Sequence, residues 1–130
     1  MSTSEPGGTD FDRWIVEEFA ETGPFTALVI LVEIVGVRVT PLASTYFSVI
    51  GDEVSWSEMI TLFAGAGASW NGAAFFPVTA PDGGPFDNPE ARLKLRELEG
   101  RVNASKIVLN EGHFFDSWGR RLKIEEVELQ

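Results

Sequence analysis

Phe25 to Val39 reads FTALVILVEIVGVRV, and this stretch decides the fold. Its Val and Ile side chains are branched at Cβ and favour the extended chain. A nearly continuous apolar run predicts a strand buried on both faces through much of its length. Gly36 marks either a bulge or a tight reversal inside it. Pro41 is expected to end the run, and Thr45 to Ile50 to form a second one.

Upstream, Thr9-Asp10-Phe11-Asp12 has the form of a helix start, with Thr9 as cap and Asp12 three residues on. Phe11, Trp14, Ile15 and Phe19 follow at helical spacing, opposite Arg13, Glu17, Glu18 and Glu21. Gly23-Pro24 supplies the stop.

Downstream, Ser55-Trp56-Ser57-Glu58 is a second capping box, and Trp56, Met59, Ile60 and Phe63 trace one helical face. No charged residue occurs from Met59 to Pro81, within which Gly65 and Gly67 break the helix and Ala73 to Val78 reads as a strand. Asn88 is the expected cap of a third helix with Pro89 in its first turn, and Ala91, Leu95, Leu98 and Val102 form its apolar face. Gly100 weakens that helix by about 1 kcal/mol relative to alanine.

Lys106 to Leu109 and His113 to Phe115 read as extended, Asp116 to Gly119 as a turn, and Arg121 to Glu128 as a charged edge strand. The order is that of an α+β protein: one compact domain over 9–130, a mostly antiparallel curved sheet, and about three helices packed on it. Residues 1–8 read as a flexible tail.

Composition narrows the function classes. The absence of cysteine excludes disulfides, thiolate metal sites and cysteine nucleophiles. MSTSEPGGTD lacks a basic and an apolar leader segment, and the apolar run Ala27 to Val37, broken by Glu33, is about half the length that spans a bilayer. The expectation is therefore a soluble cytoplasmic protein with no membrane partner. Net charge is −10, with 12 acids and 2 bases in residues 1–87 but 8 of each in residues 88–130. A chain so charged repels phosphate backbones, so no direct nucleic-acid partner is expected.

Three patterns invite a chemical reading. Gly65, Gly67 and Gly72 suggest a phosphate loop, but Trp70 stands among them, the order is helix then strand, and no Gly-Lys-Ser/Thr follows. The plainer reading is a connection, with no cofactor. One histidine without cysteine leaves only oxygen ligands for a metal, and Asp82, Asp87 and Asn88 do not have calcium-loop spacing, so no metal is expected either. Glu111, His113 and Asp116 form the third pattern. On a strand Glu111 and His113 share a face, and a carboxylate beside imidazole tunes it for acid–base work. The plainer reading is a surface or hydrogen-bonded histidine.

The aromatic pairs Phe75-Phe76 and Phe114-Phe115 point to opposite sheet faces, so one ring of each needs a second cover: a helix, a ligand or another subunit. Trp70, Asn71, Phe75, Phe76, Phe114 and Trp118 are accordingly the candidate ligand or interface residues. The function expected first is an acidic, non-catalytic binding or interaction protein that self-associates as a homodimer. A hydrolase or isomerase using Glu111, His113 and Asp116 is the alternative. An acidic inhibitor or immunity-type protein masking a basic partner is the third.

Overall fold

The central strand β1 (Phe25–Val35) is buried without interruption from Phe25 to Val32. A computed structural model describes residues 8–51, 53–67 and 69–122. In it β1 lies between β2 (Arg38–Val49) and β3 (Gly72–Val78), and β4 (His113–Asp116) borders β3. Every pairing is antiparallel, in the order β2-β1-β3-β4. The helices are α1 (Asp10–Thr22), α2 (Trp56–Ala64) and α3 (Asn88–Ala104), with a short 3-10 helix over Lys106–Glu111.

Period-two alternation sends the two halves of β1 into two cores. Ala27, Val29 and Leu31 join Phe11, Trp14 and Ile15 of α1 and Trp56, Met59 and Phe63 of α2. Leu28, Ile30 and Val32 join Leu98 and Val102 of α3 with Val108 and Leu109 of the 3-10 helix. Antiparallel sheets commonly leave one face to water; this one has helices on both. Phe75 and Phe115 fall in the first core, Phe76 and Phe114 in the second. The second cover that the aromatic pairs require is thus a helix of the same chain.

Polar groups stitch the layers. Asp12 of α1 accepts the Trp56 N–H of α2 at 2.8 Å, while its own N–H is capped by Thr9 Oγ1. Phe11 N–H donates to Gly119 O, Arg121 N–H to Asp10 Oδ2, and the Trp56 indole to Ser117 O. Gly119 has φ +78, and a Cβ there would lie 2.9 Å from Trp56 Cγ, so the turn admits only glycine without strain.

The structure changes the reading at several points. Phe25 to Val39 is a hairpin: Gly36, at φ +62, makes the tight reversal between β1 and β2. Pro41 does not end a strand but lies inside β2 opposite Val32, beside a register shift. Proline survives there because β2 is an edge strand and no ladder bond is lost. Asp87, not Asn88, caps α3, its carboxylate accepting the Glu90 N–H at 3.1 Å. Lys106 to Leu109 is 3-10 rather than extended; the chain must fold Val108 and Leu109 under the sheet at once after α3, and burial overrides the local β preference. The tail residues 1–7 and most of the expected final strand, 123–128, lie outside the described residues.

Two stability outcomes follow. Thr26 is fully buried, and its hydroxyl accepts the Phe86 N–H at 2.9 Å. Thr26→Val keeps the shape and strands that donor, so urea unfolding should show a loss of about 1–3 kcal/mol, which Thr26→Ser largely avoids. Gly100 lies inside α3 with open space where a Cβ would sit. Gly100→Ala should therefore raise stability by about 0.5–1 kcal/mol in the same assay.

Candidate functional site

His113 starts β4 opposite Phe75, so its ring lies on the α1 side of the sheet. It stacks on Trp14 with centroids 4.6 Å apart and planes 26° from parallel. Trp14 in turn touches Phe11, Phe25, Phe75 and Phe115, which fixes the indole against which the imidazole rests. The indole N–H of Trp14 is buried without a hydrogen-bond partner among the described residues. Such a donor costs about 1–3 kcal/mol, which the surrounding ring contacts have to offset.

Arg121 is the other neighbour. The turn after β4 brings it back opposite Phe115, and its Nη1 lies 3.0 Å from His113 Nδ1. A guanidinium only donates, so Nδ1 accepts and the ring proton of the neutral imidazole belongs on Nε2. The same guanidinium lies over the Phe115 ring at 4.9 Å. Burial lowers the His113 pKa from its ordinary 6.5, the Arg121 charge lowers it further, and the Glu18 carboxylate partly opposes both. The geometry holds a neutral imidazole.

The turn itself is built on Asp116. Its Oδ1 accepts the N–H groups of Trp118 and Arg120 at 2.9 and 3.0 Å, and Oδ2 accepts Arg120 Nε at 2.9 Å. Partial burial by itself pushes this carboxyl up, but the two backbone donors and the Arg120 guanidinium outweigh it and hold the group below 3.8. Asp116 is thereby a turn-former with its oxygens engaged.

Glu111 sits elsewhere. It ends the 3-10 helix and pairs with Arg101 of α3 at 2.7 Å, on the face opposite Trp14. Sequence spacing puts Glu111 and His113 on one face only if both lie on one strand, and β4 begins at His113. Of the candidate acid–base trio, the fold brings His113 and Asp116 into one hairpin and directs Glu111 to a different partner.

The candidate ligand or interface residues divide in the same way. Phe75 and Phe114 are core, and Phe76 is 9% exposed. Trp70 is half-buried, edge-on to Phe63 and Trp56. Asn71 acts as an artificial strand residue: its N–H donates to Val32 O, its Oδ1 accepts Ile34 N–H at 2.7 Å, and its Nδ2 donates to Ile34 O. Trp118 is 68% exposed at the turn, with the Arg120 guanidinium 5.1 Å from its ring centroid. Phe114 and Arg121 line one hollow of about 380 Å³ with Asn110, Gly112 and Leu122. Others open away from the candidate residues, one of about 180 Å³ between β2 and α3 beside Pro41, Ser44 and Glu99, another of about 380 Å³ beside Val16, Glu17 and Val54.

Sequence reasoning missed Trp14 and Arg121 as the partners of His113. The signal for Arg121 was present: a turn at 116–119 returns residue 121 to the neighbourhood of 115. Nothing in the sequence signalled Trp14, which meets His113 only through packing of α1.

The class that this architecture defines is an α+β domain with helices on both faces of a four-stranded antiparallel sheet. No protein-family model matches the chain, and no curated protein or solved structure is significantly similar to it. No helix among the described residues is long and apolar enough to cross a membrane.

The imidazole gives a pH outcome. Its folded pKa is depressed, so the unfolded chain binds the proton first and stability falls as pH drops. The contribution is whole above the unfolded value near 6.5 and declines as pH falls below it toward the folded value. Urea midpoints measured between about pH 7.5 and 5.5 should show this slope, and His113→Gln should flatten it. A wild-type midpoint unchanged by the substitution at both ends would contradict the neutral, Arg121-bonded imidazole.

Proposed function

We propose that this chain is a small, acidic, soluble interaction protein of the cytoplasm, without catalytic activity, that self-associates as a homodimer. The observation that supports it is the separation of charge between the two sides of the sheet. On one side α1 carries Asp10, Asp12, Glu17, Glu18 and Glu21 against Arg13 alone, and Glu53 and Glu58 flank the start of α2. On the other side α3 balances Glu90, Glu97 and Glu99 with Arg92, Lys94, Arg96 and Arg101. An acidic face suits a basic partner, and a balanced face is where two copies of a strongly acidic chain can meet.

A specific feature also favours the masking of a basic partner. The hollow beside α1 sets exposed Val16 and half-buried Val54 among Asp12, Glu17 and Glu53, with Arg13, which pairs with Asp10, also in its lining. Apolar contacts among three carboxylates and one arginine fit a basic segment with aliphatic anchors. Acid–base catalysis is the weaker reading, since Arg101 engages Glu111 and Arg121 engages His113.

Sedimentation at high micromolar concentration is expected to give a dimer; a monomer there removes the self-association reading. Affinity for polylysine is expected to weaken as salt rises from about 0.05 to 0.3 M. Binding that ignores salt would count against the acidic face as the contact.

A further inference from the structure

The backbone directions along β1 show which polar groups of β2 lie on the open edge of the sheet. Val32 O and both backbone groups of Ile34 bond to Asn71 on the β3 side. In an antiparallel ladder, a residue whose N–H and C=O turn away from a neighbour stands opposite one that also turns away. Val39, the partner of Ile34, and Pro41, the partner of Val32, therefore face outward. This explains why proline is tolerated at 41. The same parity continues past the register shift through Ile30, Leu28 and Thr26, because β3 continues to pair with them. Their β2 partners Ser44, Tyr46 and Ser48 thus present N–H and C=O groups outward.

Sheet edges are normally blunted by charge, proline, bulges or brevity. β4 is four residues long, and the returning chain covers it, with Asp116 N–H donating to Arg120 O and Leu122 N–H to Phe114 O. β2 spans 12 residues and, among the described residues, is protected only at its hairpin end, by Pro41 and the register shift. From Ala43 to Val49 it has no charge and no proline.

We propose that this edge pairs with the same edge of a second copy, antiparallel about a two-fold axis at Tyr46. This rests on the self-association reading above and specifies its surface. Centring on Tyr46 sets Ser44 opposite Ser48 of the other copy and keeps Pro41, which has no N–H to give, outside the paired segment. Charge selects a second copy as the occupant. Val39 to Gly51 is uncharged in a chain of net charge −10. Arg38 at one end of the strand runs toward the end at which the other copy carries Glu53, so a two-fold pairing matches base to acid at both ends. The adjoining helix α3 is the charge-balanced one, and the acidic α1 lies on the opposite sheet face.

The chain has no cysteine, so single cysteines report the register cleanly. Facing residues of a hydrogen-bonded antiparallel pair have Cα atoms about 5.5 Å apart, within disulfide range. Y46C should therefore form a covalent dimer on mild oxidation. S44C and S48C should each stay largely uncrosslinked alone and crosslink when mixed. Sedimentation of each reduced variant shows whether the dimer persists, and the mixed pair decides the register if Tyr46 itself is needed for association. A wild-type dimer whose intact variants give none of these crosslinks overturns edge pairing and leaves self-association through another face. A wild-type monomer overturns both.

Discussion

Everything in this fold depends on removing both faces of β1 from water. Eight consecutive buried residues, Phe25 to Val32, cannot be covered by helices on one side of a sheet. Burial of apolar side chains contributes about 25 cal/mol per Å², and a strand with two apolar faces realises that gain only between two layers. α1 and α2 supply one layer, and α3 with the Lys106–Glu111 3-10 helix supplies the other. Thr26, the one buried polar residue of the strand, is tolerated because its hydroxyl bonds Phe86 N–H in the loop before α3.

Part of the charge-free span Met59 to Pro81 follows from the same constraint. Met59 and Phe63 enter the first core, Ala73 and Phe75 the same one, and Ala74 and Phe76 the other. β3 resembles β1 in having two buried faces, and Gly72 leaves room for side chains of the strands beside it. At Gly72 a Cβ would meet Val32, Ile34 and Phe114 side chains at 3.0–3.1 Å. The uncharged stretch is inside the molecule only at Met59, Phe63 and Gly72 to Phe76; Ile60, Leu62 and the connection from Ala64 to Gly67 are exposed.

Much of the architecture was legible because local signals agreed with the global fold. Thr9 and Ser55 cap the helices expected of them, and the helical spacing of Phe11, Trp14 and Ile15 is the face that is buried. The class, the antiparallel sheet and the helix count come from such agreement. Where local and global preferences conflict, the sequence misleads. Ile107, Val108 and Leu109 have the composition of a strand but lie where the chain must turn at the end of α3. Asn71 looks like a polar site residue, yet its amide completes a backbone ladder, a role fixed by Ile34 far away in sequence. The candidate trio Glu111, His113 and Asp116 divides because Glu111 still belongs to the 3-10 helix and meets Arg101, while the strand begins only at His113. Within β4, burial of Phe114 and Phe115 in opposite cores fixes which face each side chain meets.

The same burial decides where association can occur. Once α1 through α3 have consumed the aromatic faces, the sheet retains its edges, and β4 is already lined by residues 120–122. Among the described residues, the remaining unmet hydrogen-bonding capacity of the sheet lies along β2. A strongly acidic chain tends to repel its copies, and Val39 to Gly51 adds no charge of its own to that repulsion. Backbone pairing is indifferent to net charge and needs only an accessible ladder. Charge distribution and unused backbone therefore favour the same edge for the proposed pairing, although one follows from side chains and the other from strand parity.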